Sequence, residues 1–230
     1  QGRTGSLDLC QNRGMPPHYL QPLLAPESVA LVGATERDGA LGAIVWRNLS
    51  AGGLRGPLTP VNPKHRTVFG QRAYGRLTDL PQAPQLAVVV TPAQAVESVI
   101  QDAGKAGVRA AVILTSGFGE AGAEGRTLQA RVAAVARAGG VRVIGPNCLG
   151  VMRTDCGLTA TFARTPARPG RLAVVSQSGA ICGAILDWAA GAEVGFTSVV
   201  SLGGAMDVDF GEILDFLVAD EATDAILMYV

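Results

Sequence analysis

Short, largely apolar runs that end in Gly, Pro, Thr or Asn recur along this chain. Stretches with apolar residues at helical spacing lie between them. SVALVG (28–33), PLTPVNP (57–63), LAVVVTP (86–92), AAVILTSG (110–117) and VRVIGPN (141–147) are the first five such runs. Runs of this length without a polar alternation read as strands buried on both faces. Helices are expected between them at 41–54, 93–106 and 122–138, the first stopping at Gly52-Gly53. This alternation calls for a parallel sheet covered on both faces and joined by right-handed crossovers. The residues at 150–169 break it with scattered Thr and Arg and with Pro166 and Pro169. They read as an inter-domain connection with room for a short hairpin. The pattern then restarts with a strand at 171–179, a helix at 180–190, a strand at 196–204, a helix at 210–219 and a strand at 225–230.

The expected fold class is therefore α/β. A Rossmann-like domain occupies 26–150, a connection 151–169 and a partial second α/β domain 170–230. A buried parallel strand normally leads into a covering helix, so the second domain is expected to be cut short and the chain to be part of a longer protein. Residues 1–25 are expected to form a flexible leader, with Met15 a candidate natural start.

Composition narrows the functional classes. The 230 residues carry 19 Lys+Arg and 19 Asp+Glu, which removes the basic footprint of a nucleic-acid binder. Apolar residues make up 48% and charged residues 17%, enough for a real core. No apolar run approaches the roughly 20 residues that span a membrane, so a cytoplasmic protein is expected. The four cysteines, Cys10, Cys148, Cys156 and Cys182, form no C-x-x-C pair. With only His18 and His65 beside them, reduced thiols are expected and a zinc site is not.

Open parallel sheets bind ligands outside the carboxyl ends of their strands. Those ends here are Gly33-Ala34-Thr35, Asn62-Pro63-Lys64, Thr91-Pro92, Thr115-Ser116-Gly117 and Pro146-Asn147. All are small or polar, which points to one binding edge; turn chemistry alone is the plainer alternative. The loop from Gly33 into the next helix offers backbone N–H groups and a helix dipole to a phosphate, but it is not G-x-G-x-x-G. An NAD site would also want Asp or Glu after the second strand, where this sequence has Asn62 and Lys64. A cation there suits a phosphorylated ribose, which leaves NADP or coenzyme A. The loop at 116–122 is glycine-rich, with Phe118 as an exposed-looking aromatic that could close over a ligand, or the loop could equally be a plain strand-to-helix turn. In the second half, Ser176-Gln177-Ser178-Gly179 leads from strand to helix and forms another anion site. A serine hydrolase is disfavoured, because no histidine follows Ser178 in chain order. Asp207, Asp209, Glu212 and Asp215 fit a solvated helix start better than a magnesium site.

The segments PESVALVGA, GGLRGPLTPVNPK, LAVVVTPA, GVRAAVILTSGFGEAG, IGPNCLG, LAVVSQSGA, ILDWA and VSLGGAMDVDFGEILDFL run in order from Pro26 to Val230. Together they resemble the nucleoside-diphosphate-forming acyl-CoA synthetases, which include succinyl-CoA synthetase α subunits and ADP-forming acetyl-CoA synthetases. Bacterial protein lysine acetyltransferases carry a similar region. The resemblance implies a CoA-binding Rossmann-like domain followed by a flavodoxin-like succinyl-CoA-ligase domain. Its reaction interconverts acyl-CoA, phosphate and nucleoside diphosphate with free acid, CoA and triphosphate, through an acyl phosphate and a phosphohistidine. By position, Gly33, Ala34, Thr35, Asn62 and Lys64 would hold CoA phosphates. Thr91, Pro92, Ser116, Gly117 and Phe118 would line the nucleotide and pantetheine. Asn147 and Cys148 would lie near the thioester, and Ser176, Gln177, Ser178 and Gly179 would cradle the phosphoryl group.

The phosphorylated histidine belongs to a later S-H-T-G-like segment that is absent from these residues. The chain is thus expected to bind CoA and a short acyl group and to catalyse no ligation by itself. A Mg-nucleotide and an ATP-grasp subunit or domain are expected only elsewhere in the full protein, and self-association is an open possibility. The rival readings are a non-catalytic CoA-sensing region of a fused lysine acetyltransferase and, more weakly, an NADP-dependent oxidoreductase.

Overall fold

The computed structural model describes residues 18–230. Its first sheet is built from β1 (Val29–Val32), β2 (Leu58–Val61), β5 (Leu86–Val89), β6 (Ala110–Ile113) and β7 (Arg142–Ile144). A two-stranded ribbon, β3 (Thr67–Val68) with β4 (Gln71–Arg72), sits beyond β2. The five strands are all parallel, in the order β2-β1-β5-β6-β7. β1, β5 and β6 are buried at every position, as continuous apolar runs require.

Each strand's alternate residues serve two different cores. Ala30, Val32, Ala87, Val89, Ala111 and Ile113 pack against α3 (Ala93–Ala106) and α4 (Ala123–Gly139) through Val96, Ile100, Val132 and Ala136. Val29, Leu31, Leu86, Val88 and Val112 face the other way, against Val45, Trp46 and Leu49 of α2 (Leu41–Ala51). The same period-2 geometry that hides the strand faces thus assigns helices to both sides.

The second sheet has the order β12-β10-β11-β8-β9, from β8 (Gly150–Arg153), β9 (Leu158–Thr161), β10 (Pro169–Ser176), β11 (Phe196–Ser201) and β12 (Ala225–Tyr229). β10 pairs in parallel with β11 and β12, whereas β8 runs antiparallel to both β11 and β9. α5 (Gly179–Ala192) covers one face through Cys182, Leu186 and Ala189. α6 (Phe210–Val218) contributes Ile213 and Leu217 to the core that α2 also enters. That core is continuous across both sheets, reaching from Leu31 and Val88 to Val175, Val200 and Leu202. The expected α/β class, with a parallel Rossmann-like sheet leading into a second α/β unit, is what the structure shows.

Two expectations need correction. The stretch at 151–169 holds the anticipated hairpin, but the hairpin is no free connection: β8 hydrogen-bonds to β11 and makes the antiparallel edge of the second sheet. Its buried Val151, Met152, Leu158 and Ala160 give the physical reason. Residues 20–24, expected within a flexible leader, are packed into the fold instead. Leu20, Leu23 and Leu24, on and beside the short helix α1 (Gln21–Leu24), are buried in the shared core. His18 and Tyr19 reach α6, where they bond Asp215 at 3.0 Å and Glu212 at 3.3 Å. Met15, Cys10 and the rest of 1–17 lie outside the described residues.

Candidate binding site at the strand ends

The order in which strands are added to the first sheet reverses between β1 and β5, so its crevice opens above Gly33 and Thr91. Gly33 has φ +99° and lies against Val90 and Thr91. At the start of α2, a Cβ on Gly42 would stand 2.2 Å from the Gly33 carbonyl oxygen. Only glycine there lets the helix N-terminus close onto the loop, which is the packing role of a glycine in dinucleotide fingerprints. The sequence reading missed Gly42 because its spacing from Gly33 matches no standard motif.

Asn62 fixes the neighbouring turn. Its Nδ2 donates to the Ala34 carbonyl at 2.8 Å and its Oδ1 accepts from the Lys64 N–H at 2.8 Å. Lys64 itself is exposed beside this turn. Ala34 is buried, and Thr35 accepts from the Arg37 N–H at 3.3 Å. A cavity of about 440 Å³ opens here between Gly33, Pro63, Arg76, Thr91 and Asp102. The Thr91 hydroxyl is buried in this rim with no hydrogen-bond partner among the described residues. Asp102, 5% exposed, accepts from the Leu77 N–H at 2.8 Å and the Thr78 hydroxyl at 3.0 Å. It also holds the Arg76 guanidinium at 2.7 Å, so that a cation stands at the cavity edge. Neither Asp102 nor its partner Arg76 stood out in the sequence, because nothing local marks a carboxylate in α3 as the partner of an arginine 26 residues away.

A chain of hydrogen bonds runs along the rim to the second sheet. The Thr115 hydroxyl donates to the Thr91 carbonyl at 2.7 Å, and the Asn147 N–H donates to the Thr115 carbonyl at 2.9 Å. Asn147 has φ +53°, which turns the chain toward the second sheet. Across from it, a Cβ on Gly203 would lie 2.4 Å from the Asn147 carbonyl oxygen. The Gly204 N–H donates to the Pro146 carbonyl at 2.7 Å, and the Gly203 N–H to the Gln177 carbonyl at 3.1 Å. The carboxyl ends of both sheets therefore meet at Asn147, Gln177 and Gly203.

Above this junction lies a cavity of about 1120 Å³. Asn147, Cys148, Gln177, Ser178 and Gly179 line it, with Glu120 and Gln129 from the α4 side. Ser178 caps α5 by accepting from the Ile181 N–H at 3.4 Å, and the positive end of that 14-residue helix faces the cavity. Ser176 is fully buried and only shapes the turn, its hydroxyl accepting from the Ser178 N–H at 3.0 Å. Cys148 is also buried and donates to the Ile113 carbonyl at 3.3 Å. Burial pushes its thiol up to about 12, so it is neutral at physiological pH and is a wall rather than a nucleophile.

Phe118 is not the exposed lid that the glycine-rich loop suggested. It is 0% exposed and packs in the core beneath α3 and α4. The Glu120 carboxylate accepts from the Gly117 N–H at 2.5 Å and the Phe118 N–H at 3.2 Å, which folds the loop inward. Ser116 and Pro92 are exposed and line neither cavity. The acidic residues near α6 serve structure. Asp209 caps the helix through the Glu212 N–H at 3.0 Å, while Asp207 and Glu212 pair with Arg142 at 2.9 and 2.8 Å.

A family model described as a CoA binding domain matches residues 27–154, more than half of the chain. The chain belongs to that family. A second model, the succinyl-CoA ligase like flavodoxin domain, matches residues 169–230. The CoA-binding domain thus takes in the first sheet and the β8 strand, and the ligase-like match takes in β10 to β12. Among relatives, an ADP-forming acetate–CoA ligase I of Archaeoglobus fulgidus is 38% identical over 210 residues, covering 91% of this chain and 30% of that protein. The α subunit of an ADP-forming acetate–CoA ligase I from Pyrococcus furiosus is 38% identical, covering 91% of this chain and 46% of that one. The chain therefore spans less than half the length of these relatives. A solved acetyl-coenzyme A synthetase 1 of Ca. Korarchaeum cryptofilum, in complex with phosphate and ADP, superimposes with a TM-score of 0.88 at 36% identity. That match covers 92% of this chain and 45% of that one.

Proposed function

We propose that this chain is the CoA-binding portion of an ADP-forming acyl-CoA synthetase. CoA lies across the strand ends, with its phosphates at Gly33, Ala34, Thr35, Asn62 and Lys64. Its nucleotide passes Thr91, and its thiol end enters the cavity bounded by Asn147, Cys148 and the Gln177–Gly179 turn. The observation that carries this reading is the convergence of both sheets' carboxyl ends on one rim. That rim offers an orphaned Thr91 hydroxyl and two helix N-termini where a phosphorylated ligand needs donors. In the whole protein, the reaction would interconvert acyl-CoA, phosphate and ADP with acid, CoA and ATP. The α5 N-terminus would receive the phosphoryl group, and a Mg-nucleotide would sit in an ATP-grasp domain or partner subunit. The relatives above are ligases, which favours this reading over a regulatory region of an acetyltransferase. A cytoplasmic location accords with it, and among the described residues no helix is long and apolar enough to cross a membrane.

Calorimetric titration tests the proposal. CoA binds and NADPH does not; NADPH binding without CoA binding would overturn it. Replacing Lys64 by Ala weakens CoA by about tenfold and dephospho-CoA much less, as loss of one charge-assisted contact to the 3′-phosphate requires. Equal losses would remove Lys64 from that role.

A further inference from the structure

We propose that the cavity between the sheets contains an acyl pocket for an apolar carboxylic acid larger than acetate, walled by Phe162 and floored by Gly183. This rests on the reading that a CoA thioester enters that cavity. The lining changes character along α5. Ser178 and Gly179 stand at the helix N-terminus, whereas Gly183 and Leu186 line the cavity about 6 and 10 Å further along the axis. Ile44, Leu149 and Phe162 line the same cavity as Leu186, with the polar Arg164, Thr165 and Asp187 beside them.

Phe162 is 37% exposed, yet its backbone is clamped on both sides. Asn48 Nδ2 donates to the Thr161 and Ala163 carbonyls at 2.7 and 3.1 Å. The Thr161 hydroxyl donates to the Leu149 carbonyl at 2.8 Å and accepts from the Ala163 N–H at 3.0 Å. Thr165 bonds Asp187 of α5. An aromatic residue on a backbone held this way, still 37% exposed at a cavity wall, gains contact area when something fills the cavity. Gly183 points the same way. It lies inside α5, where glycine costs about 1 kcal/mol relative to alanine, and a Cβ there would meet nothing within 4 Å. Neither backbone conformation nor close packing asks for glycine at this position. What its missing side chain leaves is room in the recess. An acetyl group would leave these walls wet, whereas a ring or branched chain would dry them.

Calorimetry on this chain with CoA, acetyl-CoA and phenylacetyl-CoA separates the possibilities. Phenylacetyl-CoA binds at least about tenfold more tightly than acetyl-CoA, as burial of several apolar carbons requires. Gly183→Val brings that ratio close to one, and Gly183→Ala, which helix propensity favours, gives an intermediate ratio at a raised melting temperature. Phe162→Ala lowers the ratio as well. If CoA and acetyl-CoA bind while phenylacetyl-CoA gains nothing, or if folded variants keep the wild-type ratio, the acyl pocket is wrong and the CoA reading stands. If none of the three binds, both fall.

Discussion

Two residues show how much a single side chain decides in this molecule. A methyl group on Gly42 would collide with the Gly33 carbonyl, so Gly42→Ala must push α2 away from the first loop. The expected cost is about 1–3 kcal/mol, read as a lowered urea midpoint, with CoA affinity falling in parallel. Cys148 makes a prediction in pH. Its thiol is raised from 9.0 to about 12 by burial, and Cys182 is raised to about 11 by the same cause. A raised folded value means that the stabilising contribution is complete below pH 9 and is lost as pH climbs from there toward 12. Thermal unfolding should therefore fall steeply across that alkaline window, and Cys148→Ala should flatten the fall. A slope unchanged in the variant would contradict the assignment. Gly33, Asn62 and Asn147 stood out in the sequence as small or polar residues after apolar runs, a pattern that turns alone also produce. The sequence misled at Phe118, since an aromatic among glycines resembles a lid until the Glu120 carboxylate is seen to draw the backbone inward.

At the scale of elements, the β8–β9 hairpin is where sequence reading stopped short. Its scattered Thr and Arg looked like a connection because one residue pattern hides a buried cation. Arg153 has a side chain 7% exposed, bonded to Asp155 at 2.7 Å and Asp220 at 2.9 Å, with its guanidinium over the Phe216 ring. It ties the hairpin to α6 and to the turn before β12. Arg153→Met leaves Asp220, itself 9% exposed at its side chain, without its cation. Removing one partner from a buried pair costs about 3–5 kcal/mol, which denaturant titration would register as a large drop in midpoint at constant slope. A loss under about 1 kcal/mol would mean that the hairpin is held by its apolar residues alone. By contrast, α3 was legible from end to end, Ala93–Ala106, because an apolar stripe stops at Gly107, a left-handed C-cap with φ +84°.

At the scale of the whole molecule, one arrangement matters: two sheets share a core and direct their carboxyl ends to the same rim. The sequence announced two runs of strand and helix, but no local pattern says how two sheets face one another. That relation depends on contacts between distant residues. Arg142 of β7 reaches Asp207 and Glu212, and the Val208 N–H donates to the Val143 carbonyl at 3.1 Å. Such pairs are visible only in three dimensions. The central claim is that this rim is a single cradle for a phosphorylated thiol carrier, and a crystal structure of the chain soaked with CoA tests it most directly. The prediction is one continuous ligand, with its phosphates beside Gly33 and Lys64 and its thiol between Asn147 and Ser178. Electron density for CoA on any other face, or with the thiol turned away from the junction of the sheets, would contradict it.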